Sequence, residues 1–216
     1  MKSMIALAAV AGLATVASAE VITSYTTFGQ PGNQVFTAPN VQADNVTGMN
    51  LTRGPGLTAT GANNSFSASG WSTDQSQDYF SFGFTVADGY AVNLESLFIG
   101  TRSSNTGPGL LGLFVSTDGF SSNLFTFVQL PDNTFSNSAI DLSALQGLTG
   151  EVEFRIAVLE NTSANGGTIA SSGTFRVGDY FDGSYSEMRF EGTVVPTPGA
   201  IAMLGLGGLV ATRRRR

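Results

Sequence analysis

Tyr79-Phe80-Ser81-Phe82-Gly83-Phe84-Thr85-Val86 is the stretch whose pattern decides the fold. Every second residue is large and apolar, with Ser, Gly and Thr between. Side chains of an extended strand alternate faces, so this spacing predicts a half-buried strand with Phe80, Phe82, Phe84 and Val86 inward. Glu151 to Val158 repeats the pattern, with Val152, Phe154, Ile156 and Val158 inward. Ser186 to Glu191 does so again, with Met188 and Phe190 inward between outward Glu187, Arg189 and Glu191.

Working outward, strands are expected at Val21 to Phe28, Val46 to Thr52, Ser65 to Ser69, Ser96 to Arg102, Leu110 to Ser116, Leu124 to Gln129 and Gly173 to Val177. Turn residues punctuate them: Asp88-Gly89, Gly107-Pro108-Gly109, Asp118-Gly119, Asn165-Gly166-Gly167 and Asp182-Gly183. Only Ala139 to Leu148 has weak helical spacing. About ten short strands without crossover helices predict one all-β domain, an antiparallel β-sandwich of jelly-roll type, with an immunoglobulin-like strand order as the alternative.

The composition agrees. The 216-residue chain has 42% hydrophobic and 12% charged residues, with 27 glycines, which suits a packed, turn-rich body rather than a disordered one. Residues 20 to 195 hold five Arg against all 16 acids, a net charge of −11. Such a surface repels phosphate backbones and argues against nucleic-acid binding. There is no Cys and no His. Disulfides and thiolate metal sites are thereby excluded, as are Ser-His-Asp and Cys-His hydrolases.

The two ends have their own chemistry. Lys2 precedes an apolar run from Met4 to Val16, followed by Ala17-Ser18-Ala19 and then Glu20. That order predicts a signal peptide over residues 1–19, cut by signal peptidase after Ala19. Residues 20–195 form the expected ectodomain, and residues 196–216 a sorting or anchor segment. This last piece reads Pro196-Thr197-Pro198-Gly199-Ala200, an uncharged span to Ala211, and Arg213, Arg214, Arg215 and Arg216 at the end. The span is about 13 residues, or roughly 20 Å as a helix, short against a hydrocarbon core of about 30 Å. The Arg cluster predicts a cytoplasmic end. A Pro motif outside, a short transmembrane helix and basic residues inside make the layout of a sorting signal.

From Val195 to Arg216 the chain resembles the PEP-CTERM proteins, in its Pro-x-Pro, its Gly-Ala, its Leu204-Gly205-Leu206-Gly207-Gly208-Leu209 span and its Arg stretch. Thr197 stands where the family's Glu does. The resemblance implies recognition of Pro196-Thr197-Pro198 by an exosortase-type transpeptidase, with a transient inner-membrane stage before release to the cell surface or beyond. The body also resembles those of planctomycete-type PEP-CTERM proteins at Tyr79 to Val86, Leu94-Glu95-Ser96-Leu97, Thr106 to Gly109, Val115 to Phe120, Val152 to Ile156 and Phe190 to Val195. That likeness implies a lectin-like or jelly-roll sandwich.

For chemistry, carboxylates are the acid/base groups at hand: Asp74 with Asp78, Glu151 with Glu153, and Asp179 with Asp182 and Glu187. A glycosidase needs two of them flanking the bond, but Glu151 and Glu153 share a strand face with Arg155 and read as a solvated ladder. No cofactor is expected. Calcium is the candidate metal, at Asp179, Asp182 and Glu187 or around Asp74, Gln75 and Asp78, because it takes hard oxygen ligands. Trp71 is the candidate carbohydrate contact, with Tyr79, Tyr90, Tyr180 and Tyr185 as further aromatics. The expected function is that of an exported, non-enzymatic surface protein associated with extracellular polysaccharide. A lectin-like module is the alternative, and a carboxylate hydrolase the third reading.

Overall fold

The computed structural model describes residues 18–181 and 183–198. Its strands, in chain order, begin with β1 (Glu20–Tyr25), β2 (Pro31–Gly32), β3 (Val41–Gln42), β4 (Val46–Arg53), β5 (Thr58–Ala59) and β6 (Ser65–Ser69). The long central strands follow: β7 (Tyr79–Val86), β8 (Tyr90–Ser103), β9 (Leu110–Val115), β10 (Phe125–Val128), β11 (Ser136–Asp141) and β12 (Gly150–Val158). Then come β13 (Phe175–Gly178), β14 (Tyr180–Phe181), β15 (Tyr185–Ser186) and β16 (Met188–Pro196).

The chain is all-β. A five-stranded sheet in the order β10-β9-β12-β7-β4 packs against a larger sheet built around β8, in a sandwich-like arrangement. The predicted inward residues of β7, β12 and β16 are all buried. Phe190 from the larger sheet meets Phe82, Phe84 and Phe154 of the smaller one at ring separations of 5.7, 5.8 and 4.7 Å. Apolar burial on this scale, about 25 cal/mol per Å², is what joins the layers.

The 14-residue strand β8 organises the larger sheet. On one edge β11 pairs with Ser96 to Thr101. On the other, β16 pairs with Tyr90 to Phe98 and β13 with Gly100 to Ser103, end to end. One line of pairing is thus made by two strands. The chain leaves it at Gly178, forms the β14–β15 hairpin, and rejoins at Arg189. The next line is broken at the same level, with β1 beside β16 and β6 beside β13. Two aligned breaks open a seam in the outer face of the sheet.

Some expectations need correction. Ala139 to Leu148 is not helical: β11 covers its start, and Ile140, Leu142 and Leu148 are buried on the β8 edge. Pairing to an available strand edge overrides a weak helical period. The strand expected from Ser96 starts at Tyr90, directly after the Asp88-Gly89 turn, where Gly89 takes φ +85°. The sandwich is not wholly antiparallel, since β2 runs parallel to β6. Among the described residues no helix is long and apolar enough to cross a membrane. The span Gly199 to Ala211 and Arg213 to Arg216 lie outside the described residues, as do residues 1–17.

Candidate functional site

Trp71 is not at a rim. It is 3% exposed, donates its indole N–H to the carbonyl of Ala68 at 2.9 Å, and packs between Phe80 and Phe175. Its size and edge-to-face geometry make it the plug of one end of the core, and no carbohydrate can reach it there. Tyr79 lies under the Arg155 guanidinium, and Tyr180 packs edge-on against Phe98.

The carboxylates are spread apart. Glu153 accepts hydrogen bonds from Arg155 and Ser81, both at 2.7 Å, while Glu151 is exposed beside them. Asp74 caps its own loop through Ser76, and Asp78 is buried against the Ser72 hydroxyl. Asp179 accepts from the backbone N–H and the hydroxyl of Thr27, each at 2.7 Å. Glu187 accepts from Ser24 and Asn40. These two residues therefore anchor opposite feet of the β14–β15 excursion, and each is engaged by its own neighbours. Asp182 lies outside the described residues, and among those described no group of three potential ligands converges on one point.

The five arginines of the body single out a different place. Arg155 pairs with Glu153 and lies between the rings of Tyr79 and Phe120, each 4.0 Å away. Arg189 pairs with Glu191 at 2.7 Å. Arg53 donates to the carbonyls of Gly32, Gln34 and Ser67 and covers the Phe66 ring. Burial lowers its pKa to about 10, still far above neutrality. Arg102 and Arg176 have no such partners: they face each other across the β8–β13 ladder, and the Nε–H of each is buried without an acceptor. Directly opposed residues have Cβ atoms about 4.5–5.5 Å apart, and like charges so placed repel. Burial first, and the Arg102 charge second, lower the Arg176 pKa.

This pair lines a cavity of about 240 Å³ in the seam of the larger sheet. Gly178, which also lines it, is opposed to Gly100 two residues along the same ladder. A Cβ on Gly100 would lie 2.3 Å from the Phe135 ring and 2.4 Å from the Asp179 carbonyl, so glycine is required for the close approach. Asn63, Asn64 and Ser65 line one side. Phe28 and Phe135, exposed by 68% and 42%, form apolar walls. Asp179 adds one negative charge to the lining, but its Oδ1 atom is held by Thr27.

Sequence reading missed this site, although a signal existed. On a strand, residues two apart share a face. Arg155 and Arg189 each have a Glu at that spacing, Glu153 and Glu191, whereas Arg102 is flanked by Gly100 and Ser104, and Arg176 by Thr174 and Gly178. Arg53, between Leu51 and Pro55, also lacks a local Glu but is taken up by backbone carbonyls, which leaves Arg102 and Arg176 as the two that the ladder brings together unmatched.

Comparison with known proteins gives no match to any family model, curated protein or solved structure. The functional reading therefore rests on this chain's own residues.

Proposed function

We propose that this chain is an exported, non-enzymatic protein displayed at the cell surface or in its polysaccharide matrix. Signal peptidase would cut between Ala19 and Glu20. Pro196, Thr197, Pro198 and Gly199 would form a PEP-CTERM-like mark for an exosortase-type transpeptidase, after a transient inner-membrane stage with the Arg cluster inside. In this reading the sandwich is a lectin-like or jelly-roll body.

One observation supports it: among the described residues, the strand network begins and ends beside the two expected processing points. Among the described residues the first strand begins at Glu20 and the last ends at Pro196, with Ala19, Pro196 and Pro198 exposed. A peptidase acting at either place would meet accessible backbone and leave the body's ladders whole. The test is to express the chain in a host carrying an exosortase, with and without residues 196–216, and to define the mature termini by mass spectrometry. A mature N-terminus at Glu20 and loss of Arg213 to Arg216 are expected. A surface form that keeps the four arginines rules out processing.

A second reading, a sugar-binding module, is favoured by the cavity between Phe28 and Phe135. Sugar sites combine aromatic walls with a few placed polar groups, and this cavity has both. Binding of the purified protein to an array of glycans, compared with a Phe28→Ala variant, decides between a passive body and a receptor.

A further inference from the structure

We propose that the seam cavity binds the carboxylate of an acidic sugar, a uronic acid residue, through the paired side chains of Arg102 and Arg176. The inference rests on the sugar-binding reading above and is independent of how the chain ends are processed.

The charge argument is local. Three of the body's five arginines are matched by a carboxylate or by backbone carbonyls, and these two are not. Two half-buried guanidinium groups opposed across the ladder, each with its Nε–H buried and without an acceptor, are an electrostatic cost, because like charges so placed repel. An anion placed against the two guanidinium groups offsets that repulsion. Asp179 does not do this: its hydrogen bonds run to Thr26 and Thr27. The lining thus has two positive charges against one negative. This is the exception on a body whose net charge is −11 from five Arg and 16 acids.

The shape argument selects the kind of anion. Guanidinium groups recognise planar carboxylates by parallel, two-point hydrogen bonds. About 240 Å³ is small beside the roughly 300–1,000 Å³ of drug-sized ligand sites, and it suits one sugar ring rather than a length of chain. Phe28 and Phe135 offer ring faces and edges to the apolar side of such a sugar, as aromatic walls do in ligand pockets. The Asn63 side chain, and the side-chain Nδ2 of Asn64, have no hydrogen bond among the described residues and line the cavity where its hydroxyls would lie. A free phosphate or sulfate would use the arginines but neither wall. A peptide C-terminus would use the arginines and leave the hydroxyl-binding side idle.

The test is calorimetric titration of the full chain with D-galacturonate, D-galactose, acetate, sulfate and an acetylated dipeptide with a free C-terminus. Galacturonate should bind at least tenfold more tightly than any of the others. Arg176→Gln and Arg102→Gln should each weaken it tenfold or more, with Arg176→Lys between them and the parent. Phe28→Ala, at a 68% exposed position where folding is not at risk, should weaken galacturonate several-fold and leave acetate unchanged. That variant keeps the idea testable should a charge variant fail to show a normal melting transition. Equal binding of galactose and galacturonate, with Arg176→Gln indifferent, would sink the uronate site and leave the sugar-binding reading standing. Binding of no sugar at all would end both. Equal acetate or sulfate binding would mean an adventitious anion site, and preference for the dipeptide a peptide site. Either would overturn the proposal.

Discussion

Tyr25 carries its hydroxyl from one sheet to the backbone of the other. The phenol lies 2.8 Å from the Met49 carbonyl and 2.9 Å from that of Gly83, and accepts the Gly83 N–H at 3.1 Å. It is needed there because the β4–β7 register slips by a residue just after Met49, leaving backbone groups without ladder partners. Tyr25→Phe keeps the ring but orphans these groups, and should cost about 1–3 kcal/mol in chemical denaturation. Burial holds the Tyr25 pKa above its ordinary value of 10, against the opposing effect of the Gly83 hydrogen bond. The unfolded chain therefore ionises first. The stabilisation from this group is complete below about pH 10 and declines as pH rises beyond it. Tyr25→Phe should flatten that part of the stability–pH curve, and an unchanged alkaline slope would show that other groups set it. Gly83 itself admits no side chain, because a Cβ would stand 2.1 Å from the Val152 carbonyl across the ladder. Gly83→Ala should lower stability by about 2 kcal/mol or more through overpacking, read as a fall in Tm.

At the scale of elements, β7 matches the stretch read from alternation, Tyr79–Val86, and β6 the further strand expected at Ser65–Ser69. β6 is buried on both faces, whereas β7 was legible because its large apolar residues share one face, which ties sequence period to structure. Phe190 shows what that face does. It is fully buried among three phenylalanines of the opposite sheet. Phe190→Ala should cost about 3–5 kcal/mol and lower the cooperativity of melting. The β14–β15 hairpin is a different kind of element. It is an excursion between two strands that each pair with β8 independently. Replacing residues 180–186 by two glycines should leave β8 amides as the slowest to exchange with deuterium. Loss of cooperative folding would mean that the excursion holds the line together. The cavity beside it was illegible for a physical reason. Arg102 and Arg176 stand 74 positions apart in sequence, and only register opposes them. Local patterns predict which face a residue takes, not which residue it meets.

At the scale of the molecule, the two ends of the strand network share one end of the sandwich, because Glu20 pairs with Gly192 and Pro196 with Tyr90. Arg102 lies twelve residues along β8 from Tyr90, about 40 Å at 3.3 Å per residue. A body tethered by its C-terminal segment would thus hold the arginine pair away from the point of attachment, as a receptor for a matrix polymer requires. The proposed sorting role of the tail can be tested apart from any role in folding. The last backbone bond of the described chain near the exit is from Thr197 N–H to the Gly89 carbonyl, at 2.8 Å. A chain ending at Pro198 keeps every β16 pairing and should melt within about 2 °C of the full chain, while losing its surface retention in the host. A chain ending at Glu191 loses the five register pairs from Gly192 to Pro196 and uncovers Val92 and Leu94, both wholly buried. Its stability should fall by several kcal/mol, since each buried aliphatic side chain contributes about 1.5–3. If instead the Pro198 truncation melts far lower, the segment beyond it is part of the fold. The sorting reading would then have to explain how a transpeptidase removes a structural element without unfolding the body it displays.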